Sequence, residues 1–93
     1  LSGRIDTEGL AFTHERADTE TLNARADAED VDVIAISVAR YASLADRYLL
    51  LPHGASVGRG YGPVLVAPEA RSLASLEGAR IGVPGLRTTA YTV

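Results

Sequence analysis

The feature of this sequence that most constrains its fold is a series of short apolar runs, several of them bounded by glycine or proline. The clearest run, VDVIAIS at residues 31–37, begins with apolar–polar alternation and then becomes continuously apolar. That pattern is typical of a strand covered on both faces, as in a parallel sheet. Similar runs predict further strands at residues 10–14, 47–54, 63–68 and 79–85.

Helical segments alternate with these runs. Asp18 is a candidate N-cap for a helix that extends to about Ala28, and Glu20 near its start suits the helix dipole. Shorter helical segments are expected at residues 38–45, 73–76 and 88–93. Strands and helices that alternate at these lengths predict an α/β fold, with a mainly parallel sheet and flanking helices.

Length and composition exclude several classes of protein. The chain has 93 residues, which suits one small domain that buries roughly 60–65% of its unfolded surface. It has no cysteine, so disulfides and thiolate metal sites are excluded. Its net charge is −3 without a basic stripe, so we expect no nucleic-acid partner.

The chain has neither a membrane-span pattern nor a signal-peptide pattern. We therefore expect no membrane association and a cytoplasmic location. Methionine is absent, and the sequence stops a few residues into the last predicted helix. These two features predict an internal fragment of a longer protein.

Two junctions between a predicted strand and a predicted helix are candidate ligand sites. Ser37 closes the run at residues 31–37, and Thr88 with Thr89 follows the run that ends at Pro84-Gly85. In open parallel sheets, ligands bind beyond the carboxyl ends of strands and close to helix N-termini. Hydroxyl and backbone N–H groups there suit a carboxylate or polyol oxygen. The alternative is that Ser37 and Thr88 are only N-caps.

The glycine-rich segment GASVGRGYG at residues 54–62 is expected to be a loop. A dinucleotide-binding fingerprint would lie after a strand and before a helix, whereas this segment precedes a predicted strand. Its glycines are therefore interpreted as allowing a tight irregular turn. Arg59 is either a solvated loop residue or a partner for an anionic ligand.

No residue of the sequence is a convincing catalytic base. His14 and His53 lie 39 positions apart and have no metal-ligand spacing, and His53 suits an exposed turn. Four carboxylates near the start of the run at residues 31–37 are interpreted as a solvated face: Asp27, Glu29, Asp30 and Asp32.

Several segments together resemble the 1,4-dihydroxy-6-naphthoate synthase family of the futalosine pathway of menaquinone biosynthesis. The matching stretches are DTETLNARA, DVIAIS, YASLADRYLLLPHGASVGRGYGPVLVA and RIGVPGLRTTAY, in the family's order and spacing. The elements GASxGxGYGP and VPGxxTTAY are fairly specific in combination. The related chorismate dehydratase family is less similar to this chain at the glycine-rich loop and at the TTAY segment.

The resemblance implies a periplasmic-binding-protein type II fold and a lyase that works without a cofactor or metal. The implied reaction converts cyclic dehypoxanthinyl futalosine into 1,4-dihydroxy-6-naphthoate, and the expected partner is a small anionic aromatic or sugar-linked substrate. Residues 1–93 would be one incomplete α/β lobe, without the family's first strand and second lobe. The family's substrate contacts map onto Asn23, Ala35, Ile36, Ser37, Thr88, Thr89 and Ala90.

The family's catalytic histidine matches neither His14 nor His53, so no catalytic residue is assigned to this chain. We expect the fragment by itself to be inactive and marginally stable. Three other interpretations remain open at this point. The chain could belong to a solute-binding protein of the same fold or to the related chorismate dehydratase family. It could also be a plain α/β domain in which the glycines and threonines form only turns and caps.

Overall fold

The computed structural model describes residues 3–93, and four short helical elements lie within them. Three are α-helices: α1 at Thr19–Ala28, α2 at Val38–Tyr41 and α3 at Thr89–Thr92. The fourth is a 3₁₀ helix at Leu73–Leu76. Each element lies within a segment that the sequence predicts to be helical, so the predicted positions of the helices are confirmed.

A side-chain cap begins α1, and a left-handed residue ends it. The Asp18 carboxylate accepts a bond from the Thr21 backbone N–H at 3.0 Å and another from the Thr21 hydroxyl at 2.6 Å. This satisfies one of the unpaired donors at a helix start. The helix ends where Glu29 adopts a left-handed conformation with φ 54°. The N-cap predicted at Asp18 is therefore confirmed.

Residues 3–93 contain no β-strand, so the predicted α/β fold with a mainly parallel sheet is wrong. The segments predicted to be strands pair with no other segment in this range. An apolar run supplies side chains that suit a sheet, but a strand also needs a neighbour for its N–H and C=O groups. Without such a neighbour these side chains are solvated, and Leu49 and Val66 are each 88% exposed.

The helix expected at residues 38–45 is shorter than predicted, because α2 ends at Tyr41. Both the backbone N–H and the hydroxyl of Ser43 donate to the Arg40 carbonyl, at 3.2 and 3.0 Å. The Leu44 N–H, which would reach that carbonyl in an α-helix, donates instead to the Tyr41 carbonyl at 2.9 Å. Serine competes in this way for backbone groups, and the chain continues as single turns.

A small buried cluster joins α1 to the turns that follow α2. The side chains of Ala26 and Leu44 are fully buried. The Tyr48 hydroxyl donates to the Ala26 carbonyl at 2.9 Å, and the Tyr41 hydroxyl donates to the Tyr48 carbonyl at 3.3 Å. The tyrosines thus place their polar ends on backbone acceptors beside these apolar side chains.

The molecule is extended outside this cluster. Its radius of gyration is 17.5 Å and its extents are 57 × 31 × 22 Å, whereas a compact domain of this length has a radius of about 12 Å. Its accessible surface is 8408 Å², compared with about 5,200 Å² for a typical folded monomer of this mass. The chain buries only about 40% of its unfolded surface, so the expected 60–65% is wrong.

The burial of Leu44 gives a test of this cluster. Leu44→Ala is expected to lower the free energy of unfolding by about 2–5 kcal/mol, because it leaves a cavity at a fully buried position. Chemical denaturation followed by circular dichroism measures the change. Leu49→Ala is the matched control, and its effect should stay below about 0.5 kcal/mol because Leu49 is 88% exposed. Equal effects of the two substitutions would contradict the structure.

Candidate functional site

The side-chain amide of Asn23 connects three segments that are distant in the sequence. Its Nδ2 donates to the Ser37 hydroxyl at 3.2 Å and to the Arg87 carbonyl at 3.1 Å. Its Oδ1 accepts from the Ser37 backbone N–H at 2.9 Å. The two backbone groups determine the orientation of the amide, since an N–H must meet the oxygen and a carbonyl must meet the nitrogen. Asn23 is fully buried.

The Ser37 hydroxyl is not used as a helix cap. Ser37 occupies the N-cap position of α2, but its side chain makes no capping bond. It accepts from Asn23 instead, and its own proton has no acceptor among residues 3–93. The interpretation of Ser37 as an N-cap is therefore correct for its backbone position and wrong for its side chain.

The two neighbouring threonines have different roles. The Thr88 hydroxyl donates to the Gly85 carbonyl at 2.8 Å and accepts from the Tyr91 N–H at 3.3 Å, which makes it the side-chain cap of α3. The Thr89 hydroxyl accepts from the Ala39 N–H in α2 at 3.1 Å. Thr89 therefore connects α3 to the first turn of α2, within two residues of Ser37.

The structure thus brings four of the seven predicted site residues together. We call Asn23, Ser37, Arg87, Thr88 and Thr89 the Asn23 cluster. The remaining predicted residues lie beside it in the chain: Ala35 and Ala90 are exposed, and Ile36 is half-buried. Whether these residues bind a substrate stays a prediction.

A carboxylate of α1 holds the turn that precedes α3. Glu20 accepts from the Arg87 backbone N–H at 3.1 Å and from its guanidinium at 2.8 Å. Gly85, with φ 142°, lies against the same side chain, and a Cβ built there would be 2.4 Å from a Glu20 carboxylate oxygen. Glycine at this position therefore permits the close approach of the turn to α1.

A second carboxylate of α1 lies between two arginines. Asp27 pairs with the guanidinium of Arg40 and lies 3.4 Å from the Arg87 Nε. The Arg40 hydrogen bond holds the pKa of Asp27 below its ordinary value of 3.8. Hydrogen bonds from the hydroxyl and the backbone N–H of Thr21 likewise lower the pKa of the Asp18 carboxyl.

Sequence reasoning missed Glu20 and Asp27 as parts of the site. With Asn23 they occupy positions i, i+3 and i+7, which place all three on one face of α1. The signal in the sequence was this polar stripe. Because the apolar stripe of α1 is thin, the polar face was the more informative one. Of the carboxylates interpreted as a solvated face, Glu29, Asp30 and Asp32 are exposed, but Asp27 is half-buried beside the cluster.

The other candidate residues lie outside the Asn23 cluster. His14, His53 and Arg59 are exposed. No group of three or more potential metal ligands occurs within residues 3–93, and no helix in that range is long and apolar enough to cross a membrane. Residues 54–62 form an exposed loop, as expected. Its Gly58 lies against the ring of Tyr61, where a Cβ would be 2.2 Å from the Tyr61 Cζ.

An open groove of about 840 Å³ lies elsewhere in the molecule, between residues 64–71 and 79–82. Leu73 and Leu76 of the 3₁₀ helix also line it. The groove shares no lining residue with the Asn23 cluster. It therefore adds nothing to the candidate site.

The ion pair of Asp27 predicts a dependence of stability on pH. Its pKa is lowered on folding, so its stabilising contribution is complete above about 3.8 and is lost as the pH falls through the lower folded value. Acid titration of the helical circular dichroism signal should show less of this loss in Asp27→Asn than in the parent chain. Asp32→Asn is the control, since Asp32 is exposed and has no ion pair within residues 3–93. An unchanged acid transition in Asp27→Asn would contradict the role of the pair.

The contact between Gly85 and Glu20 predicts a sensitive position. Gly85→Ala should displace the Glu20 side chain, weaken its bonds to Arg87 and increase hydrogen exchange at the Arg87 amide, about tenfold or more. Gly82→Ala is the matched control, because a Cβ at Gly82 meets nothing within 4 Å and its backbone is not left-handed. Equal exchange rates in the two variants would argue against the contact.

Comparison with known proteins identifies the family. The family model described as menaquinone biosynthesis, VitK2_biosynth, matches residues 1–93. A 1,4-dihydroxy-6-naphtoate synthase of Thermus thermophilus is 46% identical over 74 residues, which are 80% of this chain and 26% of the relative. A protein of the same name from Streptomyces coelicolor is 37% identical over 75 residues, which are 81% of this chain and 26% of that relative.

The chain spans about a quarter of the length of these curated relatives. No solved structure matches it significantly. The match of the family model covers the whole sequence, including every residue of the Asn23 cluster. The chain therefore belongs to the menaquinone biosynthesis family VitK2_biosynth.

Proposed function

We propose that this chain supplies substrate contacts to a 1,4-dihydroxy-6-naphthoate synthase. The reaction would be cofactor-independent carbon–carbon bond cleavage, which converts cyclic dehypoxanthinyl futalosine into 1,4-dihydroxy-6-naphthoate. Membership of the menaquinone biosynthesis family and the names of the two relatives support this choice of reaction.

The geometry of two hydroxyl groups carries the proposal. Ser37 and Thr89 each accept a hydrogen bond, from Asn23 and from Ala39, and neither hydroxyl donates within residues 3–93. A hydroxyl has one proton to donate, so both groups are available as donors to an external oxygen. A carboxylate offers two such acceptor oxygens, which suits the small anionic aromatic product.

The proposed substrate-binding residues are those that the family resemblance assigns, and each either touches the substrate or positions a residue that does. They are Asn23, Ala35, Ile36, Ser37, Thr88, Thr89 and Ala90. Within this set Thr88 acts through the position of α3, because its hydroxyl is engaged in capping. Fixed donors of this kind hold a substrate in one orientation, which is part of how an enzyme lowers a barrier.

The proposal assigns binding and orientation to this chain, and no proton-transfer step. Both histidines are exposed and make no bond to the Asn23 cluster. The carboxylates beside the cluster, Glu20 and Asp27, are paired with arginines, and the pKa of Asp27 is lowered. A carboxylate with a lowered pKa is a weak base, so Asp27 does not suit proton transfer, and Glu20 is engaged by Arg87.

A hybrid enzyme tests the proposal. Residues 15–93, the part of this chain that carries the family motifs, replace the corresponding segment of the Thermus thermophilus relative, and formation of 1,4-dihydroxy-6-naphthoate is followed by chromatography. We expect product from the hybrid and none from the chain by itself. Ser37→Ala and Thr89→Val should each lower kcat/KM of the hybrid about tenfold, because each removes one hydrogen bond to the substrate.

Ser75→Ala is the matched control in the same hybrid. The Ser75 hydroxyl donates to the carbonyl of Ser72, the N-cap of the 3₁₀ helix. It makes no hydrogen bond to the Asn23 cluster. Its removal should leave kcat/KM unchanged. A folded hybrid that forms no product, or Ser37 and Thr89 variants as active as the control, would overturn the proposal.

A further inference from the structure

Asn23, like Thr88, has no side-chain donor left to offer to a substrate. Its side chain is fully buried. Both Nδ2 hydrogens are used, on the Ser37 hydroxyl and the Arg87 carbonyl, and Oδ1 holds the Ser37 N–H. An amide has two donors and one acceptor oxygen, so these bonds occupy it almost completely. A substrate could reach Asn23 only by breaking the cluster.

The same bonds determine the direction of the Ser37 hydroxyl. An amide N–H can only donate, so the Ser37 Oγ must accept from Asn23 at 3.2 Å. The Ser37 proton then points away from Asn23. If the amide were absent, this hydroxyl could rotate and present either its proton or a lone pair.

We propose that Asn23 is a positioning residue for the synthase, which acts on the substrate through Ser37. It holds Ser37 as a hydrogen-bond donor toward an acceptor oxygen of the substrate. This inference rests on the proposed function.

A double-mutant cycle in the hybrid enzyme tests the inference. Asn23→Leu keeps a similar shape and removes all three bonds, and Ser37→Ala removes the hydroxyl. Each single substitution should lower kcat/KM about tenfold, mainly through a higher KM. Because Asn23 acts through Ser37, the double variant should also lose about tenfold rather than about a hundredfold.

Ala24→Leu is the matched control, since it adds the same side chain at the next, exposed position of α1. It should leave KM unchanged. A hundredfold loss in the double variant would mean that Asn23 acts independently of Ser37, and the inference would be wrong. This result differs from a failure of the proposed function, in which the unmodified hybrid forms no product.

A second measurement needs no substitution at Asn23, in case Asn23→Leu does not fold. The nuclear magnetic resonance signals of the Asn23 side-chain amide are followed in the unmodified hybrid while 1,4-dihydroxy-6-naphthoate is added. We expect slow solvent exchange of both amide protons with and without this product, and nuclear Overhauser contacts from the product to Ser37. Direct contacts between the product and the Asn23 amide would overturn the inference.

Discussion

The side-chain amide of Asn23 is the interaction on which the arrangement of this molecule depends. Among the described residues, it is the only side chain that bonds both Ser37 and Arg87. These residues lie 14 and 64 positions after Asn23 in the sequence. Glu20 and Asp27, on the same face of α1, add ion pairs to the same two regions. One polar face of a ten-residue helix therefore helps to bring four of the seven predicted site residues together.

This organisation is unusual because polar groups replace much of an apolar core. Only Ala26 and Leu44 are fully buried among the apolar residues described, whereas Asn23 and Thr88 are buried polar residues with bonded side chains. Buried polar groups are tolerated when their hydrogen bonds are made, and they then specify one arrangement more strictly than apolar contacts. The Asn23 cluster is consequently defined by directed bonds, in which the Ser37 and Thr89 hydroxyls are acceptors.

Sequence reasoning succeeded where the physical signal was local and failed where it required a partner. The Asp18 cap, the extent of α1 and the turn at Leu73–Leu76 follow from hydrogen bonds within four residues of each other. The predicted strands failed because a strand exists only when another segment completes its hydrogen bonds. The apolar runs at Leu49–Leu51 and Val64–Val66 have no such partner in the described structure and are exposed.

The sequence by itself determined the Asp18 cap, the glycine-rich loop and the motifs by which the chain resembles its family, since each depends on residues that are neighbours in the chain. Only the tertiary structure decided which hydroxyls are engaged and which are free. Thr88 and Ser37 look alike in the sequence, as hydroxyl residues that precede a helix. They differ because Asn23, far from both in the chain, donates to one of them, while the other finds its acceptor in the adjacent turn.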